Sequence, residues 1–182
     1  MGYLALVMAG VGYDVLASDV EPVVSSVLRQ NVEDGGRVLR CRGRAEEGDL
    51  EVVELDWTHP QLCELDVDGG GVDMIVATDT IYHHPLVRPF FETIMHFSNP
   101  SKSRSGPTPL VVLAIERRDG EMVDRALDVG KEMGFDLRRV GRGRVEKGME
   151  KAGWGGGEGW EGVEIWRGRW KGPERRDGGM KS

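Results

Sequence analysis

The stretch Val-Asp-Met-Ile-Val-Ala-Thr-Asp at residues 72–79 decides the fold class of this chain. It is a short, nearly continuous apolar run that ends in a carboxylate, which is the pattern of a buried parallel strand. Two further runs have the same form: Tyr13–Ser18 leads into Asp19, and Leu50–Trp57 contains Asp56 near its end. The repetition predicts a parallel sheet in which several strands carry an acid at the carboxyl end.

Segments with helical periodicity separate these runs. Pro22 precedes apolar positions spaced by three and four residues, which predicts a helix that ends near Asn31–Gly36. Leu86–Phe97 has the same spacing, and Asp119 is placed to cap a helix that continues to Met133.

The remaining segments complete an alternation of strands and helices. They are a helix end, expected to be buried, at Tyr3–Ala9, a loop or short strand at 37–50, a polar loop at 99–109, and strands at Leu110–Ile115, Phe135–Val140 and Val163–Trp170. This order predicts an α/β fold with a doubly wound, Rossmann-like sheet. The length fits one domain over residues 1–170, followed by a flexible tail at 171–182.

The net charge argues against a general nucleic-acid-binding protein. The 182 residues carry a formal charge of -7, and the pI is near 5.2. The charge is uneven, because residues 135–182 hold 12 Lys and Arg against 8 Asp and Glu. Within them Arg138, Arg139, Arg142 and Arg144 form a basic stretch, which is more typical of a solvated surface, although an acidic protein partner stays open.

The cysteines, the histidines and the apolar first ten residues argue against a disulfide framework, a metal site and a membrane span. Cys41 and Cys63 are the only cysteines and lack metal-ligand spacing, so a reducing, cytoplasmic compartment is expected. His83 and His84 are adjacent, point apart on a turn and have no third ligand at a familiar spacing, so no metal is expected. Met1–Gly10 is too short to cross a bilayer and has no basic flank.

The acids at the predicted strand ends indicate a ligand site. On parallel strands Asp19, Asp56 and Asp79 would lie along one edge of the sheet and converge on one crevice. A carboxylate at Asp19 can accept two hydrogen bonds from ribose hydroxyls, and Asp56 can accept one from an adenine amino group beside the flat wall of Trp57. The alternative, in which an acid only caps the following helix, stays open for any single residue. Three acids in register favour the ligand site.

Three motifs then carry a resemblance to a known family. They are Val-Leu-Ala-Ser-Asp-Val at 15–20, Leu-Asp-Trp at 55–57, and the run from Val72 that ends in Asp-Thr-Ile-Tyr at 79–82. Together they resemble the seven-stranded protein-lysine methyltransferases of family 16, the methyltransferase-like 21 type. Three later motifs, Ala-Ile-Glu-Arg-Arg at 114–118, Glu-Lys-Ala-Gly-Trp at 150–154 and Trp-Glu-Gly-Val-Glu-Ile-Trp at 160–166, are similar to the fungal branch that modifies translation elongation factor 1-alpha.

The resemblance implies S-adenosylmethionine as cofactor and a protein lysine as substrate. Position by position, it assigns cofactor binding to Gly2, Asp19, Asp56, Trp57 and Ala77, and the methyl-transfer site to Asp79 and Tyr82. It further implies an elongation factor as target and a cytoplasmic, monomeric enzyme that requires no metal, nucleic acid or membrane.

The chain departs from the family pattern at its start. The family's first strand and its acid-x-Gly-x-Gly-x-Gly turn should precede the first helix, but the sequence begins Met-Gly-Tyr, so that Gly2 matches only the last glycine. The resemblance therefore predicts a domain that lacks its first strand and cofactor loop, which leaves open whether the chain as written is active. A truncated gene model, an internal start and a degenerate paralogue are the three open explanations, of which the first is favoured because the later motifs are intact.

Other functions share parts of this pattern. A dinucleotide-dependent oxidoreductase would have the same sheet and ribose carboxylate, but the Leu-Asp-Trp and Asp-x-x-Tyr placements disfavour it. A small-molecule or RNA methyltransferase stays open, although the Asn-Pro-Pro-Tyr type of signature is absent after residues 72–78. A non-catalytic protein-binding module derived from a methyltransferase stays open because of the missing cofactor loop.

Overall fold

The computed structural model describes residues 1–41, 48–59, 71–98, 108–154 and 162–172. They belong to two compact units, an amino-terminal unit, Met1–Leu65, and a carboxy-terminal unit, Asp66–Ser182. Most of the expected tail, residues 173–182, and most of the expected polar loop, residues 99–107, lie outside the described residues. The expectation of one domain over residues 1–170 stays a prediction.

The amino-terminal unit contains one pair of parallel strands joined by a helix. Its elements are α1 (Tyr3–Ala9), β1 (Val15–Asp19), a π-helical turn (Val24–Leu28) that continues into α2 (Arg29–Cys41), and β2 (Leu50–Glu54). In the register of the two strands, Val15 lies opposite Leu50 and Asp19 opposite Glu54. A helix that connects two parallel neighbours is the βαβ arrangement that the alternating pattern predicts.

The core of this unit forms between β1 and the connecting helix. Val24, Leu28 and Val32 follow at intervals of four residues, so they lie on one helical face. Together with Ala17 of β1 they form a buried apolar cluster, against which Leu50 packs from β2. The spacing after Pro22 is therefore confirmed in part, because Val24 and Leu28 face the core whereas Val27 is 41% exposed.

This helix extends beyond the predicted end. It continues through Gly35 and Gly36 to Cys41, so the prediction of an end near Asn31–Gly36, and of a loop or short strand from residue 37, was wrong. Tertiary packing explains the difference, because a Cβ atom at Gly35 would lie 2.3 Å from Cδ1 of Leu6 in α1. The glycine permits close contact between the two helices, and that contact outweighs its low helix propensity.

Helix α1 has the predicted bounds, but it is not the buried helix end that was expected. Ala9 is its one buried residue, while Tyr3 and Val7 are 66% and 43% exposed. Because these two residues are four positions apart, they share one exposed face of the helix.

The carboxy-terminal unit contains a four-stranded mixed sheet. Its elements are β3 (Met74–Thr78), α3 (His84–Ser98), β4 (Leu110–Glu116), α4 (Gly120–Glu132), β5 (Arg138–Arg139), α5 (Arg142–Lys151) and β6 (Val163–Gly168). The order across the sheet is β3-β4-β6-β5. Strands β3 and β4 are parallel, and β6 runs antiparallel to both of its neighbours.

Helices α3 and α4 and strand β4 supply the core of this unit. Phe91 is fully buried, and its ring centroid lies 5.3 Å from that of Phe90 and 5.2 Å from that of Phe135. Burying a phenylalanine side chain of this kind contributes about 1.5–3 kcal/mol. The capping role of Asp119 is confirmed, because its side chain accepts a hydrogen bond of 3.0 Å from the backbone N–H of Met122.

The sequence prediction fails between residues 135 and 151, whereas the strand expected at Val163–Trp170 is present as β6. The strand expected at Phe135–Val140 is reduced to the two residues of β5 and one bridge between Phe135 and Trp170. The basic segment after it forms α5, a helix with no buried residue, so no apolar stripe marked it in the sequence.

The α/β, Rossmann-like class is confirmed, with the strands of each unit in a sheet of their own. Among the described residues, no helix is both long and apolar enough to cross a membrane.

Candidate functional site

Asp19 and Asp56 lie at the same edge of the amino-terminal sheet. Asp19 is the last residue of β1, and its backbone carbonyl accepts a hydrogen bond of 2.9 Å from the N–H of Leu55. Asp56 follows directly, beyond the end of the neighbouring strand β2. Neighbouring parallel strands lie about 4.8 Å apart, so the two acids extend from adjacent strands at the carboxyl edge of one sheet. The predicted juxtaposition of these two acids is confirmed.

The half-buried side chain of Asp19 is positioned by its own turn. Its Oδ1 atom accepts a hydrogen bond of 2.9 Å from the N–H of Val20. The structure shows no ion pair for this carboxylate within the described residues, which leaves acceptor capacity on both oxygens. Such a group can accept hydrogen bonds from a diol.

Asp56 is held by the residues that follow it. Its Oδ1 atom accepts hydrogen bonds from the N–H and the hydroxyl of Thr58 at 2.8 and 2.7 Å, and its Oδ2 atom lies 3.4 Å from Nδ1 of His59. The hydroxyl of Thr58 is the main cause that lowers the pKa of Asp56, and its N–H and His59 add to the effect. The carboxylate is thus ionised and fixed, with Oδ2 the less occupied acceptor, and the half-buried ring of Trp57 follows it.

Gly2 precedes α1 in a conformation that favours glycine. Its φ angle is 87°, and a Cβ atom would lie 3.2 Å from Val32 and 3.3 Å from Leu28. The left-handed backbone strains any residue other than glycine, and a Cβ atom would require Val32 and Leu28 to move slightly. The chain therefore places a bare backbone here, as the assignment of Gly2 to a cofactor loop requires, although cofactor contact at this residue stays a prediction.

In the carboxy-terminal unit, the predicted residues follow β3. Ala77 is the fourth residue of that strand and is half-buried, whereas Asp79 lies just beyond its end. The N–H of Asp79 donates a hydrogen bond of 2.9 Å to the carbonyl of Ala114, and its φ angle is 53°. An aspartate tolerates this left-handed conformation better than most residues. Tyr82 is 65% exposed three residues later.

A cation lies between the acids that end the two parallel strands. Nη2 of Arg118 is 3.6 Å from Oδ2 of Asp79 and is also hydrogen-bonded to Glu116 at the end of β4. The hydrogen bond from Arg118 holds the pKa of Glu116 below its usual value. Glu116 and Arg118 were singled out only as part of a motif. The sequence contained a signal for this contact with Asp79. Glu116 ends, and Arg118 follows, a strand that is parallel to the strand that ends just before Asp79.

Thr80 adds a buried polar atom to the Asp79–Tyr82 motif. Its Oγ1 is buried and has no hydrogen-bond partner within the described residues. Buried hydroxyls are almost always paired, so an unpaired one beside the strand end is a position where a bound molecule could supply the partner.

The residues present fit S-adenosylmethionine in their donor and acceptor types. The first unit offers a carboxylate with free acceptor capacity at Asp19, an ionised carboxylate at Asp56 and an aromatic wall at Trp57, which suit a ribose and an adenine. The second unit offers the carboxylate of Asp79. The predicted convergence of all three acids on one crevice stays a prediction, because Asp79 belongs to the second unit. Within the described ranges, no three His, Cys, Asp or Glu side chains are grouped so that they could hold a metal ion.

The structural comparison finds a likeness to a methyltransferase from Pyrococcus furiosus. The identity is 13%, the TM-score is 0.48, and the match covers 87% of this chain. The chain spans 63% of the length of that protein. A comparison with curated proteins finds no match.

The family comparison is more specific. The model of a family described as lysine methyltransferase matches residues 2–124, which include every predicted site residue from Gly2 to Tyr82. Since this match covers more than half of the 182 residues, the chain belongs to the lysine methyltransferase family.

Proposed function

We propose that this protein is an S-adenosylmethionine-dependent lysine N-methyltransferase that acts on a protein. The observation that carries the proposal is the family match over residues 2–124, which includes both the Asp19–Asp56 edge and the Asp79–Tyr82 motif. The geometry within each unit supports it, because each set of residues follows the carboxyl end of a parallel strand, where α/β folds bind ligands.

Each residue has a proposed role that suits its chemistry. The carboxylate of Asp19 would accept hydrogen bonds from the ribose hydroxyls, Asp56 would accept from the adenine amino group through Oδ2, and Trp57 would cover the base. The bare backbone at Gly2 and the small side chain of Ala77 would allow close approach of the cofactor. When bound, the cofactor supplies a methyl group carried on a sulfonium.

The residues after β3 would align the lysine. Methyl transfer to an amine is an in-line displacement that requires a neutral nitrogen and correct orientation. The exposed ring of Tyr82 would contact the cationic side chain as it enters, and Asp79 would accept a hydrogen bond from its amine through Oδ1. Arg118, which lies near Oδ2 of Asp79, would orient that carboxylate.

We propose translation elongation factor 1-alpha as the target. This choice rests on the later motifs, of which residues 114–118 and 150–154 are described and 160–161 are not. A monomeric enzyme in the cytoplasm would meet this target, and neither nucleic acid nor a membrane is required.

Two measurements test the proposal in sequence. Titration calorimetry with S-adenosylmethionine and its demethylated product tests cofactor binding, both for this chain and for a comparison chain in which a strand and an acid-x-Gly-x-Gly-x-Gly turn precede Met1. Transfer of labelled methyl from the cofactor to purified elongation factor 1-alpha, followed by mass spectrometry of its lysines, then tests activity and target.

The outcomes separate the alternatives. Cofactor binding with methylated lysine supports the whole proposal, and methylation of other proteins from the same cell supports the enzyme but not the target. Methylation of RNA or of small molecules alone would show the wrong substrate class. Absence of binding in both folded chains would reject the cofactor assignment and leave the protein-binding module.

A further inference from the structure

A cleft of about 660 Å³ in the carboxy-terminal unit is lined mainly by basic side chains. We call it the basic cleft. Its walls include seven arginine or lysine residues and one carboxylate, Asp136, in a chain whose net charge is -7. So strong a local excess of positive charge in an acidic protein requires a physical explanation, because like charges confined in one cleft repel each other.

The strand side of the cleft places two arginines directly opposite each other. Arg138 of β5 is the register partner of Arg167 of β6, so both side chains leave the same face of the sheet, and both line the cleft. Like charges at directly opposite positions destabilise a sheet. Asp136 accepts hydrogen bonds of 3.2 Å from Arg138 and is also paired with Lys171, so one carboxylate balances two cations.

The helix side of the cleft adds charge of the same sign. Arg142 and Arg144 come from the first turn of α5, which has no acidic residue in that turn and no side-chain cap at Gly141. The positive end of the helix dipole therefore also faces the cleft. A Cβ atom at Gly141 or Gly143 would meet nothing within 4 Å, so there is open space beside this backbone.

Several of these cations are paired with a carboxylate, whereas two have no such partner among the residues that the structure describes. Arg139 is paired with Glu164 at 3.2 Å, and Arg142 with Glu146 at 2.8 Å. Arg144 and Arg167 are exposed, and within the described parts of the chain neither has an ion pair or side-chain hydrogen bond. They are thus free to bind an anion from outside.

The cleft is distant from the methyl-transfer residues. Leu110, the first residue of β4, lines the cleft, whereas Glu116 ends the same strand beside Asp79 and Arg118. Six residue steps along a strand span about 20 Å. A ligand of the basic cleft would therefore bind at the other end of the sheet from Asp79.

We propose that the basic cleft docks an acidic peptide segment of a partner protein. Arginine presents a planar fork that matches carboxylates in two-point hydrogen bonds, and the surplus positive charge would be neutralised by several Asp or Glu side chains. Sites for single-stranded nucleic acid combine positive charge with aromatic stacking surfaces, but the lining contributed by the described residues contains no aromatic side chain. Among the described strands β5 is at the edge of its sheet, where an extended segment can add by backbone hydrogen bonds.

Fluorescence anisotropy with the full chain tests this docking. The probe is a labelled peptide of alternating Asp and Glu, and the comparison probes are an Asn/Gln peptide and a single-stranded oligonucleotide of equal length. The Asp/Glu peptide should bind most tightly, and its affinity should fall as salt rises. Absence of binding at low salt, or tighter binding of the oligonucleotide, would reject the proposal.

Matched variants test the location. Arg144→Glu/Arg167→Glu should bind the acidic peptide at least about tenfold more weakly. Arg88→Glu/Arg125→Glu makes the same change in net charge on α3 and α4, where both arginines are exposed, and should retain binding at physiological salt. An equal loss in both variants would mean that net charge alone attracts the peptide, which contradicts a built site.

A probe of opposite charge distinguishes a lost contact from a loss of folding in this variant. The Arg144→Glu/Arg167→Glu variant should gain affinity for a Lys peptide relative to the unsubstituted chain, while its circular dichroism spectrum stays unchanged. If the variant keeps its fold and shows no such gain, the two side chains do not contact the ligand and the proposal fails.

Discussion

Nη2 of Arg118 lies 3.6 Å from Oδ2 of Asp79. The two residues follow the ends of neighbouring parallel strands. They are 39 positions apart in the sequence, and the pairing of β3 with β4 brings them together. An acid held by a cation at this edge is oriented without being buried, since 54% of the Asp79 side chain is exposed. This arrangement leaves the Asp79 carboxylate accessible to the substrate amine that we propose.

Replacement of Asp79 by asparagine should reduce methyl transfer while the fold is retained. Asparagine tolerates the φ angle of 53° at this position but lacks the charge, so we expect the rate to fall by about a hundredfold or more. Steady-state kinetics of methyl transfer and thermal unfolding measure the two effects. Asp79→Ala is the comparison, and it should unfold at a lower temperature because alanine disfavours this backbone. An active Asp79→Asn variant would contradict the role of the carboxylate.

Removal of Arg118 should raise the pKa of Glu116. The hydrogen bond from Arg118 is the main cause of the lowered value, so Arg118→Ala should return it toward 4.5. A carboxylate with a lowered pKa contributes stability above its unfolded pKa, and that contribution is lost as the pH falls through the folded pKa. The variant should therefore be less stable than the unsubstituted chain near neutral pH, and the difference should disappear once the pH is below the lowered pKa of Glu116. NMR titration of the Glu116 carboxyl carbon measures the shift. An unchanged titration would show that the contact does not persist in solution.

Replacement of Asp19 should weaken cofactor binding. Loss of two hydrogen bonds to ribose in Asp19→Ala should lower the affinity for S-adenosylmethionine by about tenfold to a hundredfold. Calorimetry measures this in whichever chain binds the cofactor. Glu51→Gln, an exposed change on β2, is the control and should bind as the unsubstituted chain does. Equal affinity in Asp19→Ala would remove this residue from the site.

The buried carboxylate of Glu164 should be important for stability. Although it is 5% exposed, it accepts hydrogen bonds from Arg117 at 3.0 Å and from the indole of Trp166 at 2.9 Å, and it pairs with Arg139. Glu164→Ala leaves these donors without their acceptor and should cost about 3 kcal/mol in the free energy of unfolding. Glu146→Ala, which breaks an exposed pair with Arg142, should cost about 0.5 kcal/mol or less. Denaturant titration compares them, and similar costs would contradict the buried network.

Two glycines in helices should respond to alanine in opposite directions. A Cβ atom at Gly130 would lie 2.7 Å from Cζ of Phe91, so Gly130→Ala should destabilise the chain by about 1–3 kcal/mol despite the better helix propensity. At Gly148 in α5 nothing lies within 4 Å, so Gly148→Ala should stabilise by up to about 1 kcal/mol. Thermal and denaturant unfolding measure both. Stabilisation by Gly130→Ala would show that α3 and α4 are less closely packed.

The sequence by itself determined the elements that local patterns encode. Apolar runs that end in acids predicted β1, β3 and β4, and the cap at Asp119 predicted the start of α4, because strand burial and helix capping depend on residues near in sequence. The family could also be predicted from the sequence, since its motifs are short and contiguous.

Only the tertiary structure decided the features that depend on distant residues. Helix α2 continues beyond Gly35 because it packs against Leu6. The pairing of β3 with β4 brings Arg118 to Asp79. The pairing of β5 with β6 places Arg138 opposite Arg167. A linear pattern does not record which strands become neighbours or which helices come into contact. These contacts are set by packing between elements, whose free energy outweighs local propensity.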